Sequence, residues 1–294
     1  MISVCIVTFN NERQIGACLA SLPWGNPALE VWIEDNGSRD RTREVVERFA
    51  AGLRRGRVRI HRRWNASDRG YAAAMNRMLS ASRGEWVCLL GPDTRVLDGS
   101  FERLVDFLRK NPAVGVAAPR LLDIRGETQP SCRRFPTVGD AFLEMTGLPR
   151  LFPRRFLPSW KMPEFDHASM ASVDQPEATC LMLRRRVLDG VGLMDERFPL
   201  FFNDVDWCRR IRRHGWGIVF LPSAVVEHSR GASVRQAPVK KIWRSHQGFY
   251  RYFAKYRKSA WGKATNPVIG GMLAMTAVFR ILFAMLHSRG RTGT

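Results

Sequence analysis

Short apolar runs alternate with amphipathic stretches along residues 1–120 of the chain. Ile2-Ser3-Val4-Cys5-Ile6-Val7, Val31-Trp32-Ile33, Val58-Arg59-Ile60 and Trp86-Val87-Cys88-Leu89-Leu90 read as strands, the last with five consecutive apolar residues, as in a central strand covered on both faces. Between them, 3.6-residue spacing predicts helices from Asn10 or Asn11 to about Leu22, from Arg41 to about Leu53 and from Tyr71 to about Ser82. Short connections between alternating strands and helices predict a mostly parallel sheet covered by helices, an α/β fold. A helix from Phe101 to Lys110 and a strand from Val114 to Ala118 extend it.

From Leu121 to about Asp174 the pattern weakens. Pro130, Pro136, Pro149, Pro153, Pro158 and Pro163 forbid long regular elements there. This stretch reads as a substrate-covering insertion with one short helix around Asp140 to Met145. Regularity returns with an apolar strand at Ala178–Leu183, a helix from Asp204 to about His214, and strands at Trp216–Leu221 and Ala224–Val226.

Each early strand ends in polar residues, and in open α/β sheets that edge binds ligands. Asp35 ends the second strand, Gly70 precedes the third helix, and Asp93 follows the Gly91-Pro92 turn after the fourth strand. Three such turns on one edge describe a nucleotide crevice. The first turn lacks Gly-x-Gly-x-x-Gly, which excludes a nicotinamide or flavin fingerprint. Reaction at a nucleotide diphosphate needs a group that reads base and ribose, a metal ion that neutralises the leaving diphosphate, and a base for the incoming hydroxyl. Asp35 is placed for the first task, Asp93 for the second and Asp204 for the third. His228, after a late strand, can add a neutral metal ligand.

Charge adds a partner. Lys and Arg total 47 against 27 Asp and Glu, a net charge of +20. After Glu227 there is no acidic residue, while 13 Lys or Arg follow, interleaved with Trp243, Phe249, Tyr250, Tyr252, Phe253, Tyr256 and Trp261. That mixture suits single-stranded nucleic acid or a bilayer interface. The apolar run after it favours the bilayer and predicts no nucleic-acid partner. Lys240 to about Ala260 reads as one helix, broken by Pro267. Val268 to Leu286 follows, with Arg280 as its only charge. Thr276, Arg280 and His287 share one helical face, which suits a helix lying in the membrane plane, or a hairpin dipping into one leaflet, rather than a span. The expected organisation is a catalytic domain at 1–235, with a nucleotide half at 1–120 and an acceptor half at 121–235, then a basic, apolar helical appendage at 236–294. Six scattered cysteines without a C-x-x-C pair read as free core thiols. A strand begins at Ile2 with no signal peptide before it, so the expected location is the cytoplasmic face of the membrane, peripheral or monotopic.

Six segments occur in order: Val-Thr-Phe-Asn (7–10), Asp-Asn-Gly-Ser-Arg-Asp (35–40), Gly-Tyr-Ala-Ala-Ala-Met-Asn (70–76), Pro-Asp-Thr (92–94), Phe-Asn-Asp-Val-Asp-Trp-Cys (202–208) and Glu-His-Ser-Arg-Gly-Ala-Ser (227–233). Over residues 2–235 the chain thereby resembles glycosyltransferase family 2, and its rhamnosyltransferase-like branch in particular. Ser131-Cys132-Arg133-Arg134-Phe135-Pro136-Thr137 also resembles that branch. The resemblance implies a GT-A fold, the nucleotide-diphospho-sugar form of a Rossmann-like sheet. It also implies inverting transfer of a sugar, rhamnose by branch, in cell-surface polysaccharide synthesis.

By position, Thr8, Asn10, Asp35, Gly37, Ser38, Gly70, Asn76 and Pro92 match the nucleotide-binding set. Asp93 and His228 match ligands of a divalent metal, Mg2+ or Mn2+, and Asp204 matches the catalytic base. Arg133, Arg134 and Asp206 are candidates for the acceptor or diphosphate. The implied donor is a dTDP-, UDP- or GDP-linked sugar and the implied acceptor a membrane-held glycan or polyprenyl-linked sugar. The sequence departs from the family where Gly91 replaces the first acid of Asp-X-Asp and where Asn203 precedes the base. Asp206 is therefore the alternative base, about 200° around the helix from Asp204. The competing reading is a degenerate protein that binds nucleotide sugar, anionic lipid or nucleic acid without transfer.

Overall fold

Four parallel strands carry the N-terminal half. They are β1 (Ile2–Thr8), β2 (Leu29–Asp35), β3 (Arg59–Trp64) and β4 (Trp86–Leu90), in the order β3-β2-β1-β4. The helices that join them are α1 (Ile15–Ala20), α2 (Thr42–Gly52) and α3 (Tyr71–Ala81). The computed structural model describes residues 1–25, 29–53, 59–146, 160–198, 200–229 and 238–289. Strand residues alternate between two cores, as the pleat requires. Val4, Ile6, Cys88 and Leu90 pack with α1, α2 and α4 (Ser100–Lys110). Cys5, Val7, Val87 and Leu89 pack with α3, α6 (Arg185–Val191) and α7 (Asn203–Arg213).

Beyond β4 the sheet becomes mixed. Its order continues β4-β11-β6-β12-β5, from β5 (Thr94–Val96), β6 (Val114–Leu122), β11 (Cys180–Arg184) and β12 (Gly217–His228). β11 is antiparallel to both β4 and β6, whereas β6 and β12 are parallel. The apolar run at 180–183 is buried on both faces, so no alternation in the sequence gives its direction. The two late strands expected at 216–226 are one strand, bent by a register shift between Leu221 and Val225. The first helix is shorter than expected. The Asn11 carbonyl accepts from Gln14 and Ile15, but the Asn11 side chain accepts from Phe9 N–H instead of capping the helix.

The insertion is built from short pieces. β7 (Thr128–Gln129) pairs with β6, β9 (Ala171–Ser172) pairs with β12, and α5 (Val138–Thr146) covers the expected short helix. β8 (Cys132–Arg133) and β10 (Gln175–Pro176) form a separate antiparallel ribbon that sets Arg133 opposite Gln175. His167, an ordinary residue by sequence, holds this ribbon. Its Nε2 accepts from the N–H groups of Ser131 (3.1 Å) and Cys132 (3.2 Å), so Nδ1 carries the proton and donates to Phe165 O (2.9 Å). Pro149, Pro153 and Pro158 lie outside the described residues, as do the expected domain boundary at 235/236 and motif residues 230–233. All six cysteines are free and buried, as expected.

The C-terminal segment forms α8 (Pro238–Tyr256) and α9 (Ala260–Arg289). Pro267 does not break the helix. The break falls at 257–259, and α9 runs through Pro267. α8 buries Phe249, Tyr252 and Phe253 in a third core with Trp160, Phe198, Phe202 and Val205. Gly248 permits this contact, because a Cβ there would lie 2.6 Å from the Phe202 ring.

Asp206 is part of the same interface, which corrects its assignment to the acceptor site. Its carboxylate is fully buried and accepts from Arg210 (3.0 Å), Lys255 (2.5 Å) and Tyr256 (2.8 Å). Burial and the Asp206 charge push the Tyr256 phenol well above its ordinary range. Asp206 faces α8, on the opposite side of α7 from Asp204, as the 200° separation requires.

Asp206→Ala takes the buried carboxylate from Arg210, Lys255 and Tyr256, and only Lys255 keeps a second one, Asp195 (2.7 Å). The expected cost is about 3 kcal/mol of unfolding free energy, against a smaller loss for Asp206→Asn, both read by urea denaturation. A pH dependence follows from His167. Burial pushes its pKa down, against the smaller opposing effects of the Phe165 carbonyl and Asp166. The unfolded imidazole protonates near about pH 6.5 while the folded one resists. The stability contributed by His167 is complete above that pH and is lost as the pH falls below it. The urea-midpoint gap between the natural protein and His167→Gln is therefore expected to shrink from about pH 7.5 to about pH 5.5.

Candidate functional site

The carboxyl ends of β1 and β2 meet at a tight turn. Thr8 and Asp35 are register partners, and Thr8 Oγ1 donates to Asp35 Oδ2 (2.8 Å). Ser38 Oγ donates to the same oxygen (2.5 Å), while the N–H groups of Gly37 (3.0 Å) and Ser38 (2.8 Å) donate to Oδ1. All four acceptor positions of the carboxylate are thus used, three by its own turn and one by Thr8 of the neighbouring strand. Asn10 N–H donates to Ser38 Oγ (2.8 Å), and Asn10 Oδ1 accepts from Arg39 N–H (2.9 Å). Gly37 has φ +84°, and a Cβ there would sit 3.0 Å from Ser67 Cα. Only glycine fits a positive φ and that approach together. Thr8, Asn10, Asp35, Gly37 and Ser38 therefore form one rigid rim.

Gly70 ends the next loop, accepting Ala74 N–H at its carbonyl, and α3 begins at Tyr71 with its first N–H groups at the same sheet edge. Asn76 is placed differently from its assignment to the nucleotide. It is buried, and its side chain bonds Met194 N–H (2.9 Å), Met194 O (2.9 Å) and Glu196 Oε1 (3.0 Å). Both ends of the amide tie α3 to the loop ahead of α7, a contact between residues far apart in sequence that local pattern does not reveal.

Gly91, Pro92 and Asp93 leave β4 beside the start of β11, where Gly91 N–H donates to Thr179 O (2.8 Å). A Cβ at Gly91 would lie 3.1 Å from Asp93 Oδ1, so the small residue leaves that carboxylate its space. β12 returns His228 to the same place, with Asp93 Oδ2 3.5 Å from His228 Nε2. Gln129, on β7, grips His228 twice. Its Nε2 donates to the His228 carbonyl (2.7 Å), which fixes the amide orientation, so Oε1 accepts from the Nδ1 proton (3.1 Å). The lone pair of Nε2 then points at Asp93. An imidazole lone pair facing a carboxylate oxygen suits a shared cation, and a second-shell acceptor behind the histidine is the usual support of such a ligand. Among the described residues no three His, Cys, Asp or Glu gather as a metal centre. The donor set therefore fits a divalent ion held by two protein ligands and completed by water and phosphate, not a closed structural site.

Asp204 is half-buried in the first turn of α7, where the helix dipole favours a negative charge. Oδ1 accepts from Val205 N–H (2.9 Å) and Oδ2 from Gln175 Nε2 (2.9 Å). Burial pushes its pKa up, with the nearby Arg133 guanidinium opposing. Tyr71, at the head of α3, is pushed far up by burial and then by the charge of the neighbouring Asp204. Arg133 lies 3.9 Å from Glu177 and stacks 5.1 Å from the Trp160 ring centroid. Arg134 turns away to Glu164 (2.5 Å), an exposed pair.

Gln175 was not singled out by sequence. It is fully buried, its Nε2 also donates to Pro176 O (3.0 Å), and its Oε1 has no hydrogen-bond partner. Gln129 was likewise missed. Both lie in the proline-rich insertion, and no spacing marks a residue whose partner is supplied by a distant strand.

Comparison with known proteins agrees with this architecture. A profile described as "Glycosyltransferase like family 2" matches residues 1–245. The N-acetylglucosaminyl-diphospho-decaprenol L-rhamnosyltransferase of Mycobacterium tuberculosis (strain ATCC 25618 / H37Rv) is 27% identical over 303 residues, covering 99% of this chain and 96% of that protein. The mannosyltransferase PcManGT of Pyrobaculum calidifontis, in complex with GDP-Man and Mn2+, superposes with a TM-score of 0.59 at 18% identity, over 99% of this chain and 79% of that one. S. aureus TarS 1-349 in complex with UDP-GlcNAc gives a TM-score of 0.58 at 14% identity, over 94% and 72%. These likenesses identify the mixed sheet as the GT-A fold. The chain belongs to glycosyltransferase family 2.

Proposed function

We propose that the protein transfers a sugar with inversion from a nucleotide diphosphate to a hydroxyl of a membrane-held, polyprenyl-linked acceptor. The observation that carries this reading is Asp204, a half-buried carboxylate oriented by two hydrogen bonds in the first turn of α7. The rim of Thr8, Asn10, Asp35, Gly37 and Ser38 receives the nucleoside, with the Asp35 carboxylate rigidifying the turn and Asn10 and Ser38 at its outer edge. Gly70, Pro92 and the first N–H groups of α3 line the diphosphate side. Asp93 and His228 would hold a divalent ion, Mg2+ or Mn2+, whose chemistry there is to offset the charge of the departing diphosphate.

Asp204 accepts the acceptor hydroxyl's proton as that oxygen attacks the anomeric carbon. The bond to the diphosphate oxygen breaks on the opposite face, and a single displacement inverts the centre. Burial raises the basicity of Asp204, while Gln175 and Val205 N–H keep the ionised form oriented. Arg133, held over Trp160, offers its guanidinium to an anionic portion of donor or acceptor.

The M. tuberculosis relative supports rhamnose as the sugar and a diphosphopolyprenol-linked acceptor, hence cell-surface glycan synthesis at the cytoplasmic membrane face. Residues 1–235 form the catalytic unit on this reading, and 236–294 the membrane-facing appendage.

Asp204→Asn is expected to lower kcat by at least about a hundredfold in a transfer assay with nucleotide sugar and a polyprenyl-linked acceptor, with donor binding retained. Turnover surviving in that variant would sink the assignment. Gln175→Leu removes a donor to the ionised carboxylate, so the acid limb of kcat/KM is expected to move to higher pH, a shift that general destabilisation does not produce. Gln129→Leu frees the His228 ring. Mn2+ affinity with nucleoside diphosphate present, read by electron paramagnetic resonance, is expected to fall about tenfold or more.

A further inference from the structure

α9 is the one long helix whose apolar side nothing in the protein covers among the described residues. Ala260–Leu282 has a mean hydropathy of 1.3, yet only 17% of its most apolar window is buried. The buried positions Gly262, Asn266, Leu273 and Ala277 recur at helical spacing, and Leu273 joins the third core. At 100° per residue the opposite side carries Trp261, Val268, Met272, Met275, Phe279 and Leu282, exposed by 40–76%. No charged or polar side chain interrupts that arc. Thr276 lies off it, its hydroxyl bonded to Met272 O and Leu273 O, and Arg280 falls on the side that meets the protein.

We infer that α9 is a monotopic anchor. It lies in the plane of an anionic bilayer with this arc inserted, and it does not cross. Two observations choose the occupant and the orientation. After Glu227 the chain has 13 basic residues and no acidic one, which matches an anionic surface and not a neutral protein patch. α9 is also fixed alongside α8, which in turn buries its aromatic residues against α7. A crossing α9 would draw α8, with Arg244, Arg251 and Lys255, into the hydrocarbon, where each charge is costly. In the plane, the apolar arc meets acyl chains while Arg251, Lys258 and Lys263 stay exposed beside the headgroups.

Lys255 and Tyr256 on α8 hold Asp206 on α7, so the helix that carries Asp204 is tied through α8 to α9.

The inference deepens the membrane side of the proposed function, and its test reads no turnover, so the two can fail separately. The full chain is floated with vesicles of phosphatidylcholine alone or with phosphatidylglycerol. Binding is expected only with the anionic lipid, and Met275→Glu and Phe279→Glu are each expected to weaken it about tenfold with unchanged thermal unfolding. The six native thiols are buried, so a Thr294→Cys variant carries the reactive one. In inverted bacterial membrane vesicles it is expected to react with an impermeant maleimide without detergent. Flotation unaffected by both glutamate variants would overturn the inference. So would labelling that requires detergent, which means a span, or a dimer that Met275→Glu dissolves with no flotation of the natural chain, which means the arc is a protein interface.

Discussion

The antiparallel course of β11 is the constraint on which the site depends. Cys180 pairs with Leu90 and Arg184 with Trp86, so β11 begins where β4 ends. Its beginning is thereby placed at the ligand edge, and the residues just before it arrive there too. Thr179 receives the Gly91 N–H, and Gln175 reaches Asp204. A parallel β11 would carry that segment to the far side of the sheet. One strand direction thus joins the half of the chain that carries Asp35 and Asp93 to the half that carries Asp204.

α7 shows how one helix divides two carboxylates between two duties. Asp204 is held by two neutral donors and stays partly exposed, while Asp206 is sealed by Arg210, Lys255 and Tyr256. Separation around the helix makes this possible, because residues two positions apart face opposite sides of it. Arg209 reinforces the same contact by lying over the rings of Tyr252 (5.1 Å) and Tyr256 (4.3 Å). The C-terminal helices are thus tied to α7 by buried charge as well as by aromatic packing. A change in how α8 sits would be felt at the start of α7.

The supports of His228, Asp204 and Arg133 come from the insertion. Gln129 fixes the tautomer of His228, Gln175 orients Asp204, and His167 holds the strand that carries Arg133. Each is a neutral side chain acting on a charged or ligating one, in a segment whose prolines prevent long elements. Short ribbons and single hydrogen bonds do there what a helix or sheet does elsewhere.

The sequence by itself determined the alternating frame of the first 120 residues, the positions of Asp35, Asp93 and Asp204 at element ends, and the opposite facing of Asp204 and Asp206. These follow from periods of 2 and 3.6 and from turn chemistry, which act over a few residues. Its free, buried thiols and its acid-free C-terminus were equally legible. Tertiary structure alone decided the direction of β11, the passage of α9 through Pro267, the tether from Asn76 to Met194, and the supporting roles of Gln129, His167 and Gln175. Those depend on partners tens to more than a hundred positions away. An apolar strand reads the same in both directions, and an amide reads the same whether it meets ligand or protein. Only the packed fold supplies the second group, and with it the role.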